Sequence, residues 1–281
     1  MFRRILTEWT RHPSLSIFLT TIEDPIQLAL TSSEIPVVLS RRQRLIYRLY
    51  VSALWEAMLR NDIDNIAERV NEPEQGNPIR IWRKSRLISQ DLANSIIECN
   101  IIKRWASSGH GRQRVAEVGA GSGRLAQVYL SSQPGIYFIF DIPPALYVSQ
   151  SYLSNVFPDK NIFRFRRFQS FETVQSEIEA ADLVFCTANQ IKLFPSRYFD
   201  AIVTISTLPE MRPDQVAFYL TRFQILSRGA IYIKQWVRWK NEADGTDISR
   251  EDYNLGDDWR LTVDTIDTVN PLFFNRVWRR K

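Results

Sequence analysis

The residues with the clearest chemical meaning lie at positions 117–123, where the sequence reads Glu-Val-Gly-Ala-Gly-Ser-Gly. The alternating glycines allow a tight turn and let a ligand approach the backbone. A strand is predicted before them and a helix after them, so the first helical N–H groups would face the ligand. Asp141 comes 18 residues after Gly123, at the end of the next predicted strand. A carboxylate there can accept hydrogen bonds from both ribose hydroxyls. Together these residues predict a site for an adenosine-containing molecule.

The glycine spacing distinguishes between two kinds of adenosine ligand. A dinucleotide site favours a third glycine at position 124, which is Arg124 here. The order acid-x-Gly-x-Gly-x-Gly instead resembles the class I methyltransferases. That resemblance implies the cofactor S-adenosylmethionine, with the loop around its methionine part. A nicotinamide-dependent reductase stays the alternative. On this resemblance the cofactor-binding residues of this region are Glu117, Gly119, Ala120, Gly121, Gly123, Asp141 and Ile142.

Further ligand contacts are expected where the later strands end, because open parallel sheets bind ligands outside the carboxyl ends of their strands. Asn189 and Gln190 follow the predicted strand at 182–186. Their side-chain amides could hydrogen-bond the edge of an adenine. Ser206 follows the predicted strand at 201–205 and is a further candidate for cofactor binding.

The elements that must position these residues alternate between strand and helix. Such alternation predicts right-handed crossovers and a parallel sheet covered on both faces. The predicted fold class is α/β, a Rossmann-like class I methyltransferase sheet that is mostly parallel, with seven core strands and an antiparallel C-terminal strand. Residues 162–168 and 171–180 are predicted to be an inserted strand and helix that do not belong to the core sheet. The strands are predicted at 114–118, 137–140, 182–186, 201–205, 230–239, 259–268 and 273–280, and the helices at 125–130, 143–156 and 213–226.

Two domains are predicted, a helical N-terminal extension at 1–110 and the cofactor-binding domain at 111–281. In the extension, apolar residues recur at helical spacing over 41–70. A turn-rich loop follows at 71–78, and helix resumes near Gln90. The extension is interpreted as a lid that closes over the acceptor.

The composition is typical of a soluble globular protein, with 44% hydrophobic and 24% charged residues among 281. Cys99 and Cys186 lie far apart, so neither a disulfide framework nor a cysteine zinc site is expected. No signal peptide or membrane span is predicted, and a cytoplasmic location is expected. The net charge of +5 arises in residues 1–114, which hold 17 Lys/Arg and 12 Asp/Glu. A basic solvated helical face is the favoured interpretation, and an anionic partner is the alternative.

Several segments resemble the sugar O-methyltransferase family of bacterial natural-product and polysaccharide pathways. The runs Gln-Asp-Leu-Ala-Asn-Ser at 90–95 and Asp-Ile-Pro-Pro at 141–144 carry the resemblance more specifically than the glycine loop does. The resemblance implies methyl transfer to a hydroxyl of a sugar-like or glycosylated small molecule. The resemblance does not determine the oligomeric state, and a homo-oligomer is one of the alternatives. The matching segments are 76–78, 88–95, 117–123, 141–148 and 206–211.

A hydroxyl acceptor must lose its proton, so a general base near it is expected. Glu210 is the first candidate because it follows a strand at the mouth of the sheet. Asp91 would reach the same mouth if the N-terminal helices form a lid. Lys234, near the end of an apolar strand, would orient Glu210 or an acceptor oxygen. His12 and His110 are less favoured by their positions, and no metal site is predicted.

Two further interpretations stay open. A methyltransferase acting on nucleic acid or on another small molecule is one, although a nucleic-acid partner is not predicted. Residues 206–210 lack the polar-Pro-Pro-aromatic run typical of base methylation, and residues 115–281 carry no net charge. The other is a non-catalytic S-adenosylmethionine-binding partner subunit that keeps the fold without turnover.

Overall fold

The computed structural model describes residues 40–76, 78–106, 111–240 and 245–281. The chain divides into two compact units. One, the N-terminal unit, comprises residues up to Asn100 together with Asp267–Pro271. The other, the sheet unit, comprises Ile101–Ile266 and Leu272–Lys281. His12 and His110 lie outside the described residues, and the interpretation of residues 1–110 as a lid stays a prediction.

Helix α1 (Arg41–Asn61) opens the described part of the N-terminal unit. Ser40 and Gln43 form a capping box at its start, with each side chain accepting the other residue's backbone N–H. The helix predicted over 41–70 is interrupted at residues 62–65. The Asp62 carboxylate accepts the N–H groups of Ile66 (2.9 Å) and Ala67 (2.8 Å), and so begins a separate helix. This is α2 (Ile66–Arg69).

A hairpin that the sequence did not predict follows α2. Strands β1 (Ile81–Arg83) and β2 (Arg86–Ile88) pair antiparallel. Three residues in each strand are too few to show a period in the sequence. Helix α3 (Gln90–Trp105) then begins at the residue where helix was predicted to resume.

The sheet unit is built on a large twisted sheet. Its eight described strands lie side by side in the order β11 (Trp259–Ile266), β12 (Phe273–Arg280), β8 (Ser227–Trp236), β7 (Phe199–Ile205), β3 (Arg114–Val118), β4 (Ile136–Asp141), β6 (Leu183–Thr187) and β5 (Ile162–Phe163). All neighbouring pairs are parallel except the two that involve β12. Helices occur between the parallel strands, as expected for crossover connections. The elements are β3 (Arg114–Val118), α4 (Arg124–Ser132), β4 (Ile136–Asp141), α5 (Pro143–Val156), β5 (Ile162–Phe163), α6 (Gln175–Ala180), β6 (Leu183–Thr187), β7 (Phe199–Ile205), α7 (Pro213–Leu226), β8 (Ser227–Trp236), β9 (Arg238–Lys240), β10 (Asp247–Ser249), β11 (Trp259–Ile266) and β12 (Phe273–Arg280).

The predicted fold class is confirmed: the protein is α/β with a Rossmann-like, mostly parallel sheet. The sheet has one strand more than the seven predicted, because the inserted segment at 162–180 adds β5 as a short edge strand beside β6. The strand predicted at 230–239 ends at Trp236. The next residue, Val237, donates its N–H to the carbonyl of Leu272 at 2.7 Å. Within the described ranges, no helix combines the length and apolarity that a membrane crossing requires.

An aromatic cluster packs beside the strands that carry the predicted site. The rings of Phe138, Phe140, Phe194, Tyr198 and Phe199 lie 5.1 to 5.9 Å apart between centroids. All five are buried, and such close packing holds the strand ends in place. Strand β3 lies between β4 and β7, so the chain order reverses there. This reversal is where open parallel sheets form a ligand crevice.

Candidate cofactor and active site

The glycine loop between β3 and α4 has a shape that only glycine tolerates. Gly119, Gly121 and Gly123 have φ values of +79°, +55° and +84°, which residues with a Cβ rarely adopt. A Cβ on Gly119 would lie 2.1 Å from Thr207 Oγ1. A Cβ on Gly123 would lie 2.7 Å from Leu153 Cδ1. Neighbouring side chains therefore require glycine at two of the three positions.

Thr207 joins this loop to the turn after β7. Its hydroxyl lies 3.1 Å from the carbonyl oxygen of Gly119, and its N–H donates to Gln235 Oε1 at 3.0 Å. Gln235 is fully buried in β8. Ser206 has a φ of +51°, and its N–H donates to the carbonyl of Lys234 at 2.9 Å. Strand β8 thus positions the turn that contacts the glycine loop.

Asp141 ends β4 and hydrogen-bonds the same loop. Its Oδ2 accepts the N–H of Gly121 at 2.9 Å, and its Oδ1 accepts the N–H of Ile142 at 2.7 Å. Burial raises the pKa of the Asp141 carboxyl above its ordinary value, and hydrogen bonds from backbone N–H groups oppose that rise. Each carboxylate oxygen can accept a further hydrogen bond from a ligand hydroxyl. Ile142 next to it exposes 60% of its surface, an apolar patch on which a flat ring can lie.

A cavity of about 1120 Å³ opens at the carboxyl ends of β3, β4, β6 and β7. Ligand pockets usually measure roughly 300–1,000 Å³, so this one has room for a cofactor together with a small acceptor. Six of the predicted site residues line it: Gly119, Asp141, Ile142, Asn189, Gln190 and Glu210. The remaining lining residues are Val118, Phe140, Pro143, Phe165, Arg167, Phe168, Gln169, Thr187, Ala188, Thr207, Met211, Gln215 and Tyr219.

Glu117 has a partner inside the protein. The carboxylate is 4% exposed, and its Oε2 accepts the hydroxyl proton of Tyr137 at 2.9 Å. It is not among the cavity-lining residues, whereas its neighbour Val118 is. Adjacent residues of a strand point to opposite faces, which explains the difference. A direct contact between Glu117 and the cofactor stays a prediction.

Asn189 and Gln190 differ in what their amides do. Gln190 Oε1 accepts the N–H of Thr187 at 2.9 Å, and its Nε2 donates to the carbonyl of Arg166 at 3.0 Å. The buried Gln190 therefore fastens the chain at 164–169 to the end of β6. Asn189 is exposed at the cavity. Of the two side chains, Asn189 is better placed to meet a ligand.

The three catalytic candidates occupy different surroundings. Glu210 is exposed in the 3₁₀ turn Leu208–Glu210 and lines the cavity. Lys234 is 8% exposed in β8, with its Nζ 6.0 Å from the ring centroid of Phe273, and it does not line the cavity. Asp91 is exposed in the first turn of α3. Glu210 is thus the candidate that the structure brings to the cavity together with Asp141.

Five lining residues away from the strand ends were missed by the sequence reasoning. Phe165, Phe168 and Gln169 belong to the irregular stretch that follows β5. Gln215 and Tyr219 belong to α7, where an amphipathic pattern does not distinguish a cavity wall from core. Burial, followed by the nearby Asp141 charge, raises the pKa of Tyr219, so its hydroxyl stays protonated and can donate at neutral pH. Among the described residues, no group of three or more His, Cys, Asp or Glu side chains is arranged to hold a metal ion.

Comparisons with known proteins found similarity in fold. No protein-family model matches the chain, and no curated protein matches it. It is similar to the structure of magnesium protoporphyrin IX methyltransferase from Synechocystis PCC 6803 with bound S-adenosylmethionine, at 9% identity and a TM-score of 0.46 over 87% of this chain and 99% of that one. It is also similar to 1,6-didemethyltoxoflavin-N1-methyltransferase from Burkholderia thailandensis with S-adenosylhomocysteine, at 15% identity and a TM-score of 0.44 over 68% and 79%. A third similar structure is mitomycin 7-O-methyltransferase, at 12% identity and a TM-score of 0.41 over 87% and 74%.

Proposed function

We propose that this chain is an S-adenosylmethionine-dependent methyltransferase. The observation that carries the proposal is the Asp141 carboxylate. It lies at the cavity, accepts the N–H of Gly121, and stands beside a loop whose Gly119 leaves no room for a side chain. A carboxylate at the end of this strand, beside a glycine loop, is the arrangement that a ribose diol requires. Arg124 donates to the hydroxyl of Tyr152 at 2.6 Å, so position 124 does not serve the close approach that a dinucleotide site requires of a glycine there.

The lining residues suggest how the cofactor lies. With the ribose at Asp141, the adenine would lie on the exposed surface of Ile142, with Asn189 at its edge. The methionine part would follow the glycine loop toward Thr207. This direction leads to the turn that carries Glu210. The cofactor supplies an electrophilic methyl group on a sulfonium, and the protein supplies the alignment.

We propose a hydroxyl of a sugar-like molecule as the acceptor. Aromatic rings and amides line the cavity together, and such surfaces suit the C–H faces and the hydroxyls of a sugar. Glu210 would accept the hydroxyl proton as the oxygen attacks the methyl carbon. Amine and carbon acceptors are the alternatives that the experiment below would detect.

Calorimetric titration tests the cofactor. S-adenosylmethionine is expected to bind the full chain, and NADH and NADPH are expected not to bind. Asp141→Asn should weaken S-adenosylmethionine binding by tenfold or more, because one carboxylate oxygen becomes an NH2 group that cannot accept a ribose hydroxyl, a loss of about 1.5–3 kcal/mol. Asp159→Asn is the matched control, since Asp159 is exposed in the turn after α5. Preference for a nicotinamide nucleotide, or unchanged binding by Asp141→Asn, would contradict the proposal.

The acceptor class is tested by screening with radiolabelled S-adenosylmethionine. Sugars, nucleotide-linked sugars and glycosylated aromatic compounds form one panel, and their deoxy analogues form the control panel. Label transferred to the first panel and lost in the second would support hydroxyl methylation. Label found on nitrogen or carbon would replace the acceptor while leaving the methyltransferase proposal in place.

A further inference from the structure

Three aromatic rings cluster in the sheet unit, at the carboxyl end of β8. The ring centroids of Trp236 and Phe273 lie 4.5 Å apart, and those of Trp236 and Trp239 lie 5.4 Å apart. Trp236 is thus the central ring, in contact with both of the others. Each of the three side chains is partly exposed. We call these three residues the aromatic platform.

The backbone of the sheet holds the platform in place. Phe273 on β12 lies directly opposite Trp236 in the antiparallel ladder, and opposite residues share a face of a sheet. Val237, which follows Trp236, donates its N–H to the carbonyl of Leu272 at 2.7 Å. Trp239 lies on β9 and packs against the hydrophobic core of the sheet unit. The rings are therefore positioned by the fold before any ligand binds.

The platform lies next to the turn that carries Glu210. Strand β8 packs against the 3₁₀ turn Leu208–Glu210. Backbone N–H groups just before this turn donate to the carbonyl of Lys234 and to the side chain of Gln235. Trp236 is the next residue along β8. The platform is therefore at the same end of the sheet as Glu210 and the proposed methyl group.

Buried polar side chains lie beside the platform on the same face of the sheet. Lys234 and Asn275 lie opposite one another, two residues from Trp236 and Phe273 along their strands, and side chains two residues apart share a face. Lys234 is 8% exposed and Asn275 is 7% exposed. The Lys234 Nζ lies 6.0 Å from the ring centroid of Phe273. Ammonium and amide groups next to aromatic rings suit a ligand that has both hydroxyls and an apolar face.

We propose that the aromatic platform binds the C–H face of the sugar-like acceptor and thereby selects it. The face of an aromatic ring is electrostatically negative, and it attracts the polarised C–H groups of a pyranose. A pyranose with only equatorial substituents presents such C–H groups on both faces, whereas axial hydroxyls interrupt them. The inference rests on the proposed function, because it requires a hydroxyl of the bound sugar to reach Glu210.

Ligand-observed NMR titration of the full chain tests the platform, with methyl β-D-glucopyranoside as the probe and S-adenosylhomocysteine present or absent. Trp236→Leu should weaken glucoside binding by about fivefold or more, through the loss of ring contacts. Trp236→Phe keeps a ring and should retain most of the affinity. Methyl α-D-altropyranoside, whose axial oxygens interrupt both faces, should bind more weakly than the glucoside. Trp82→Leu is the matched control, because Trp82 is a 62% exposed tryptophan on β1, outside the sheet unit.

Calorimetric titration of the same variants with S-adenosylmethionine separates this inference from the proposed function. Trp236→Leu should leave the Kd of the cofactor within about twofold of that of the unmodified protein. If the cofactor binds and the glucoside does not, or if Trp236→Leu and Trp82→Leu bind the glucoside equally, the platform is refuted and the methyltransferase proposal stands. Tighter binding of catechol than of the glucoside would also refute it, in favour of an aromatic acceptor. If S-adenosylmethionine does not bind, the proposed function fails, while a loss of glucoside binding in Trp236→Leu alone would still support a sugar site.

Discussion

The contact between Gly119 and Thr207 makes a quantitative prediction. In Gly119→Ala, the backbone must hold a residue with a Cβ at a φ of +79°, which costs roughly 1–2 kcal/mol. The new Cβ would also lie 2.1 Å from Thr207 Oγ1 and 2.2 Å from its Cγ2. Thr207 must therefore move, and it would lose its hydrogen bonds to Gly119 or Gln235, at about 1 kcal/mol each. The expected loss of unfolding free energy is about 2–4 kcal/mol.

Urea unfolding of the ligand-free chain measures this loss, and Gly121→Ala is its matched control. Gly121 has a φ of +55°, and a Cβ there would meet nothing within 4 Å. It should therefore lose only the conformational cost of about 1–2 kcal/mol. Adding Thr207→Gly to Gly119→Ala should recover part of the difference. If Gly119→Ala and Gly121→Ala have the same free energy of unfolding, the close approach of the glycine loop to the turn at Thr207 is refuted.

Three further predictions concern the cavity. Since the folded-state pKa of Asp141 lies above its ordinary value, its ionisation lowers stability as the pH rises through that window. In urea unfolding, the stability that the unmodified protein loses over this window should not be lost by Asp141→Asn, which does not ionise and which should bind S-adenosylmethionine more weakly. Glu210→Gln should lower kcat for methyl transfer by a factor of about 10²–10⁴ and leave the Kd of the cofactor unchanged. Its control is Asp214→Asn, because Asp214 is exposed at the start of α7, and this variant should leave kcat unchanged. Gln190→Ala should destabilise the chain by about 1–3 kcal/mol and speed amide hydrogen exchange at 164–169. Hydrogen-exchange protection at 164–169 equal to that of the unmodified protein would show that Gln190 does not hold this segment in place.

Elements with strong local signals were predictable from the sequence. Proline at the first helical position and amphipathic spacing give α5 and α7 the bounds that were predicted, 143–156 and 213–226. Shorter elements were predicted less completely. The two-residue strand β5 lies where an inserted strand was predicted, but its pairing with β6 was not predicted. The hairpin β1–β2, with three residues in each strand, was not predicted at all. Their formation depends on neighbours that a local pattern does not reveal.

The site was predictable where it coincides with the ends of strands. Asp141, Asn189 and Glu210 each follow or end a strand, and topology brings them to one cavity. The segment 165–169 could not be found in this way, because its place depends on two distant amides. Gln150 Oε1 accepts the N–H of Phe165 at 2.7 Å, and Gln190 donates to the carbonyl of Arg166 at 3.0 Å. Long-range hydrogen bonds of this kind leave no periodic trace in the sequence.

The glycine loop shows why its sequence alone does not make a binding site. Gly119 contacts Thr207, which lies 88 residues later in the chain and leaves no room for a Cβ on Gly119. Thr207 is in turn held by Gln235 from β8. Lys234 and Gln235 point to opposite faces of that strand, because successive residues alternate. Lys234, which was predicted to be catalytic, accepts the N–H of Ser206 with its backbone carbonyl. The side chain of Gln235 positions Thr207, which contacts the glycine loop. The loop sequence makes the close approach possible, and the strand order β3-β7-β8 brings the contacting residues to it.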